Sequence, residues 1–298
     1  MKKTIWIVVS VVLFLTACSE RMPPKEALMA NPTEIKITSL EDLDSVFDSF
    51  EYTPEAWGEG TKEVPRLTFE SITPAWQKAS KNMPIKTKKS IFLRMILPLV
   101  LVSNENILRE RAIVESAELT SPELIDVAMK YGVIKDKSTT LTAKHQQQML
   151  MRVNTIPPSL ALAQAIEESA WGTSRFAVEG NALFGQWDFS DNSIKPKQQR
   201  SGLGDYGIAR FDSPLASVEG YMLNINSTSA YKSLRVLRAQ QVEKQEKFSG
   251  HLLAGTLINY SERGEAYIKG IRHLMSYNKL GITDETYLAD NNLVHLVY

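Results

Sequence analysis

The stretch from Lys86 to Ser116 constrains the fold more than any other part of this chain. It holds no glycine and a single proline, Pro98, and its apolar positions Ile91-Phe92-Leu93, Ile96-Leu97 and Val100-Leu101 fall around most of a helix's girth. A helix that is apolar on nearly every side must be enclosed by other elements or by lipid. Its uninterrupted apolar run, Met95 to Val102, is far shorter than the about 20 residues a bilayer requires. We therefore expect a buried core helix, kinked at Pro98, where a backbone donor is missing. Ser121-Pro122-Glu123 opens a second helix with a capping serine and a proline at its first position, ending near Tyr131-Gly132. Leu141 to Val153 predicts a third, stopping before Pro157-Pro158.

The amino terminus reads as an export signal. Lys2 and Lys3 precede an apolar run from Ile5 to Leu15, and Leu15-Thr16-Ala17-Cys18 is similar to the lipobox of bacterial lipoproteins. Cys18 is the only cysteine, so neither an internal disulfide nor a multi-thiolate zinc site can form. Its acylation would give a stable membrane anchor, and by analogy Ser19 favours the outer membrane, with the protein facing the periplasm. Residues 1–17 are then the signal peptide and 18–63 a lipidated, partly disordered tether, because seven of the thirteen prolines lie between Cys18 and Pro84 among polar stretches. Residues 64–140 form a helical extension, 141–280 the main domain and 281–298 a tail.

Formal charge is zero, with 34 basic and 34 acidic residues, which offers none of the concentrated positive surface that nucleic-acid binding needs. His145, His251, His273 and His295 are scattered without metal-ligand spacing, no glycine-rich phosphate loop is present, and no motif places a histidine for a nucleophilic triad. No cofactor is expected, and the sequence sets no oligomeric state.

Chemistry concentrates from Pro158 to Gly172. Pro158 can begin a helix, alanines and leucines favour it, and Gly172 supplies a stop. Glu167 and Glu168 then fall in the last turn, at the negative end of the helix dipole, where their charged forms are disfavoured; burial beside Trp171 would disfavour them further. A general acid for glycosidic cleavage needs that property. The residues alone do not choose between the two glutamates.

The run Leu162-Ala163-Gln164-Ala165-Ile166-Glu167-Glu168-Ser169-Ala170-Trp171-Gly172, followed by Asn181-Ala182-Leu183-Phe184-Gly185, resembles the signature of the bacterial glucosaminidase domain. That domain occurs in flagellar muramidases and autolysins, and the chain is similar within the family to the Bax-type proteins, which carry it behind a helical extension. Tyr260-Ser261-Glu262-Arg263-Gly264-Glu265-Ala266-Tyr267 resembles a second family element, and Ala209-Arg210-Phe211 with Tyr221 loosely matches a third. The resemblance implies a mainly α, lysozyme-like α+β domain with a small β-lobe from about Gln186 to Phe211. It makes Glu168 the catalytic glutamate, places Tyr260 in the catalytic groove and leaves Tyr267 to pack or shape that groove.

Of the crowded aromatics, Trp171, Trp187 and Tyr206 are candidates for sugar contact, while Phe176 and Phe184 are assigned to the core. Family members usually carry a second acid in the lobe; here Asp188, Asp191 and Asp205 are available without a clear match, so Asp205 is at most a substrate-contacting candidate. The implied function is an endo-β-N-acetylglucosaminidase acting on peptidoglycan glycan strands, with Glu168 as acid and the substrate's acetamido group or a water as nucleophile. A lytic transglycosylase and a non-catalytic, wall-binding envelope lipoprotein are the alternatives.

Overall fold

The computed structural model describes residues 32–60, 62–199 and 204–298. The signal sequence, Cys18 and the first part of the expected tether lie outside the described residues.

The chain begins with β1 (Thr33–Lys36), α1 (Leu40–Ser49), α2 (Pro54–Gly58), β2 (Glu63–Val64), β3 (Leu67–Phe69) and α3 (Pro74–Asn82), and then enters α4 (Ile85–Ser116). α4 is the long helix expected from its apolar girth. It continues through Pro98, which leaves the Arg94 carbonyl without its helical donor. By composition it could cross a membrane, yet most of its apolar window is buried inside the protein. Side chains from Ile91 to Glu105 are buried in unbroken succession. Around it pack α5 (Pro122–Lys130), α6 (Ala143–Arg152), α7 (Pro158–Ser169) and α9 (Pro214–Ser227). α8 (Arg175–Gly180), β4 (Trp187–Asp188) and β5 (Gly207–Ile208) come between α7 and α9. α10 (Lys232–Glu243), α11 (Gly250–Ala254), α12 (Glu265–Tyr277), β6 (Tyr287–Leu288) and β7 (Val294–Val297) complete the chain. The architecture is mainly α with a small β part.

Two expected boundaries are corrected. The tether assigned to 18–63 is folded from Thr33 onward, and the tail assigned to 281–298 is structural. β7 is the middle strand of a parallel sheet, with β1 on one side and β3 on the other, and β2 pairs in parallel with β6. Proline content suggested disorder because two of those prolines were doing something else. Pro54 and Pro74 begin helices, behind the capping side chains of Thr53 and Thr73. α1 closes a capping box between Ser39 and Asp42 and buries Leu43, Val46 and Phe47. The division at residue 140 is likewise not a division of cores: one apolar cluster runs from Ile37 to Leu296.

The layer of short strands is pinned to α4 by a buried ion pair. Arg66 donates to both carboxylate oxygens of Glu105, at 2.5 and 2.8 Å, and its Nε donates to the Ala289 carbonyl at 2.9 Å. Arg109 donates to the same carboxylate. The approach to α7 is held in a similar way. Arg238, fully buried, donates to the carbonyls of Met151, Arg152, Asn154 and Thr155, and burial pushes its pKa down to about 9. Asn104 clasps the backbone of Ile156 from α4 with both atoms of its amide.

Removing one partner of the Arg66–Glu105 pair strands a charge that is 4% exposed. Glu105→Ala should cost roughly 3–5 kcal/mol, whereas replacing both residues with methionine should recover most of that loss. Urea denaturation measures both, and a single variant as stable as wild type would show that the pair ties nothing together.

Candidate active site

α7 forms because Pro158 presets its first turn and the run of alanine and leucine loses little side-chain entropy. Its start is capped from outside the helix. The Asp284 carboxylate accepts from the backbone N–H and the hydroxyl of Ser159, each at 2.8 Å, and from the Gly250 N–H at 3.2 Å. Its end departs from expectation. Instead of running to Gly172, α7 stops at Ser169, and Ala170, Trp171 and Gly172 follow with φ of 50°, 61° and 71°. Three successive left-handed residues are costly, about 1–2 kcal/mol for each of the two that carry a Cβ. Ser169 supports the turn from within, its hydroxyl accepting from the Gly172 N–H at 2.8 Å and donating to the Ala165 carbonyl.

The structure separates the two glutamates clearly. Glu167 points to an ion pair with the exposed guanidinium of Arg263. Glu168 is half-buried, and its Oε1 accepts from the Tyr267 hydroxyl at 2.8 Å. That bond has a fixed direction. The Tyr221 hydroxyl donates to Gln164 Oε1 at 2.6 Å, which leaves the Gln164 amide nitrogen to donate to the Tyr267 oxygen at 3.0 Å, so the single Tyr267 proton is directed to Glu168. All three supporting side chains are fully buried. Oε2 faces Gly185, where an added Cβ would lie 3.5 Å from it. Burial raises the Glu168 pKa above the usual carboxylate range; the Tyr267 bond opposes the rise, and neighbouring Glu167 adds to it. Burial and the adjacent carboxylate together keep the Tyr267 phenol protonated.

Tyr260 and Tyr267 stack with centroids 5.3 Å apart, but the Tyr260 hydroxyl goes to the Phe184 carbonyl at 3.2 Å. The bond to Glu168 thus belongs to Tyr267, expected to pack or shape the groove, while Tyr260 stacks beside it. The Trp171 ring meets Phe92 edge-on at 5.6 Å, with Lys89 Nζ 4.9 Å from its centre. Phe184 is in the core as expected, stacked on Tyr221 at 4.0 Å.

The small lobe is present as a short antiparallel pair, β4 with β5, extended by a bridge between Ile194 and Ile208. Trp187, 49% exposed, stacks on buried Tyr206 at 4.8 Å, with Phe189 edge-on beside it. The lobe's acids serve local bonds. Asp205 pairs with Lys195 at 3.2 Å and accepts from Gln199; Asp188 accepts from the backbone and hydroxyl of Ser190, which holds its pKa low. Among the described residues, no group of three or more His, Cys, Asp or Glu side chains is placed to hold a metal ion. Gln164 and Arg263 were quoted in motifs without a role. A lone amide inside an Ala-Leu helix was the signal for Gln164.

Known proteins resemble this chain over its carboxy-terminal half. Residues 144–280 match the family model described as mannosyl-glycoprotein endo-beta-N-acetylglucosaminidase. The chain is 30% identical over 187 residues to protein Bax of Escherichia coli (strain K12), a match covering 60% of this chain and 66% of that protein, just under two thirds of its length. A solved structure, the catalytic domain of the autolysin Auto from Listeria monocytogenes, is 17% identical with a TM-score of 0.37, covering 84% of this chain and 98% of that one.

A carboxyl whose pKa is raised on folding costs stability once it ionises. Below its ordinary pKa of 4.5 both folded and unfolded states hold the proton and nothing is lost; the penalty grows with pH until the folded-state pKa is passed. Glu168→Gln, which can still accept from Tyr267, should therefore melt above wild type at pH 7, with the gain vanishing below about pH 4. Calorimetry across that range is the check, and a gain independent of pH would contradict it.

Proposed function

Residues 144–280 form a domain of the glucosaminidase family, and on that premise we propose that the chain is a peptidoglycan hydrolase, an endo-β-N-acetylglucosaminidase with Glu168 as its general acid. The observation that carries the reading is the Glu168 carboxyl itself. Burial favours its protonated form, one oxygen is occupied by Tyr267, and the other faces a glycine. A proton held on Oε2 is thereby directed to the side where the Gly185 backbone leaves room for a glycosidic oxygen. Protonating that oxygen lets the sugar that carries it depart as an alcohol when the anomeric C–O bond breaks, leaving oxocarbenium-like character on the aminosugar for the nucleophile to capture.

The bonds of Asp188 and Asp205 within the lobe support a mechanism in which the substrate's own acetamido oxygen, or a water, attacks the anomeric carbon. Tyr260 lines the groove beside Glu168, and the exposed face of Trp187, backed by Tyr206, offers an aromatic platform for a sugar ring. Tyr267 holds the acid. In the same reading, acylation of Cys18 anchors the protein in the outer membrane, facing the wall from the periplasm.

Zymography on purified peptidoglycan tests the assignment. Wild type should clear the gel, and Glu168→Gln should lose about 10²–10⁴-fold activity, the usual contribution of a positioned acid. Mass spectrometry of the released fragments should find reducing N-acetylglucosamine ends. Anhydro-muramic ends would make the enzyme a lytic transglycosylase, a reading favoured by the same isolated glutamate. Sedimentation with the wall without any fragment would make it a binding protein.

A further inference from the structure

Residues 72–77 lie outside the family-matched segment 144–280, yet they hydrogen-bond to both stretches of chain that flank Glu168. Trp76 Nε1 donates to the Trp171 carbonyl at 3.2 Å, and Gln77 Nε2 donates to the Thr173 carbonyl at 2.8 Å. The Ile72 N–H donates to Asn181 Oδ1 at 2.9 Å. The first two bonds grip the left-handed turn behind Glu168. The third grips Asn181, itself left-handed at φ 52° and four residues ahead of the glycine that faces Oε2.

We propose that this segment, through Trp76 and Gln77, is a positioning element of the active site, holding the turn Ala170–Gly172 in its left-handed form and so fixing where α7 ends and where Glu168 stands. The inference rests on Glu168 being the catalytic acid. Local preference favours a different end to α7: Ala170 and Trp171 both accept helical conformation more readily than the left-handed one they adopt, and the first glycine able to stop the helix is Gly172. A strained turn persists only where its surroundings over-determine it. Local bonds hold the two ends of the turn, through the Ser169 hydroxyl to the Gly172 N–H and through the Ser169 and Ala170 carbonyls to Thr173, whereas at its centre the Trp171 N–H reaches the Ile166 carbonyl only at 3.4 Å. The remaining support comes from α3 and α4. A Cβ on Gly172 would meet the Phe92 ring at 3.1 Å and Trp76 Nε1 at 3.2 Å, so the two helices close tightly over it. α3 is built to present these donors: Thr73 caps its start by accepting from the Trp76 N–H, and the Trp76 ring is buried. If the grip were released, α7 would extend through the turn and redirect the chain that leads on to Gly185, the residue facing Glu168 Oε2, so that the acid loses its fixed surroundings.

The test uses the full-length protein with three variants, Gln77→Leu, Trp76→Phe and Gln77→Leu combined with Ala170→Gly. Gln77 is half-buried and its loss spares the core, so that variant keeps the test open should Trp76→Phe fold poorly. The rate of glycan cleavage should fall about 10-fold or more in each single variant, as expected when a catalytic group is slightly misplaced, with KM changed less than about 3-fold, and the alkaline limb of the pH profile should move. Ala170→Gly, which removes the cost of the left-handed conformation, should restore most of the rate to the Gln77 variant. Thr68→Val, in the distant strand layer, supplies a control that lowers melting temperature without moving kcat or the pH limb. Wild-type kcat and pH profile in both single variants, or a loss that Ala170→Gly leaves uncorrected, overturns the proposal while Glu168→Gln remains inactive. A fully active Glu168→Gln overturns the catalytic reading instead, and this inference with it.

Discussion

A helix buried from Ile91 to Glu105 has no face left for water, and the rest of the molecule is arranged to satisfy that condition. α7 and α9 cover it on the side of the active site, α5 and α6 on another, and the short parallel strands on a third. Each large apolar side chain it buries contributes roughly 1.5–3 kcal/mol, but the polar residues at its carboxy-terminal half decide what lies next to what. Glu105 calls in Arg66 and Arg109, and Asn104 takes the backbone that leads into α7. The position of α7 is thus set by the core helix before any residue of the candidate site is considered.

Within the site, direction counts as much as distance. A hydroxyl can give its one proton to one acceptor, and the sequence of donors from Tyr221 through Gln164 to Tyr267 leaves only one choice at the end. Glu168 is consequently asymmetric: one oxygen is committed to the protein and the other is available. Desolvation and the Tyr267 bond pull its pKa in opposite directions, so the carboxyl is kept protonatable without being locked in the neutral form.

Much of this was legible in the residues. Apolar girth identified α4, capping serine and proline identified α5, and the Glu-Ser-Ala-Trp-Gly pattern pointed to Glu168. What could not be read were features decided by partners far along the chain. α7 ends three residues before Gly172 because Trp76 and Phe92 close over the turn, an interaction no local window contains. The choice between Tyr260 and Tyr267 depends on which ring lies beneath Gln164, which only packing decides. Thr33–Lys36 is short and polar, and Val294–Val297 is apolar but only four residues long; neither announces a strand alone, and they become strands by pairing with each other. Prolines misled for a related reason, since a proline at the first position of a helix supports order, and only the cap beside it tells the two cases apart.

The place of β7 carries a consequence for how the chain assembles. β1 and β3 do not touch each other; each is completed by the same late strand, whose two edges serve them both. The chain therefore has to be made through residue 297 before either early strand finds a neighbour. Until then the backbone edge of Leu67–Phe69 stays unpaired, and a nascent molecule stalled short of residue 294 presents that edge to whatever chaperone or protease is near.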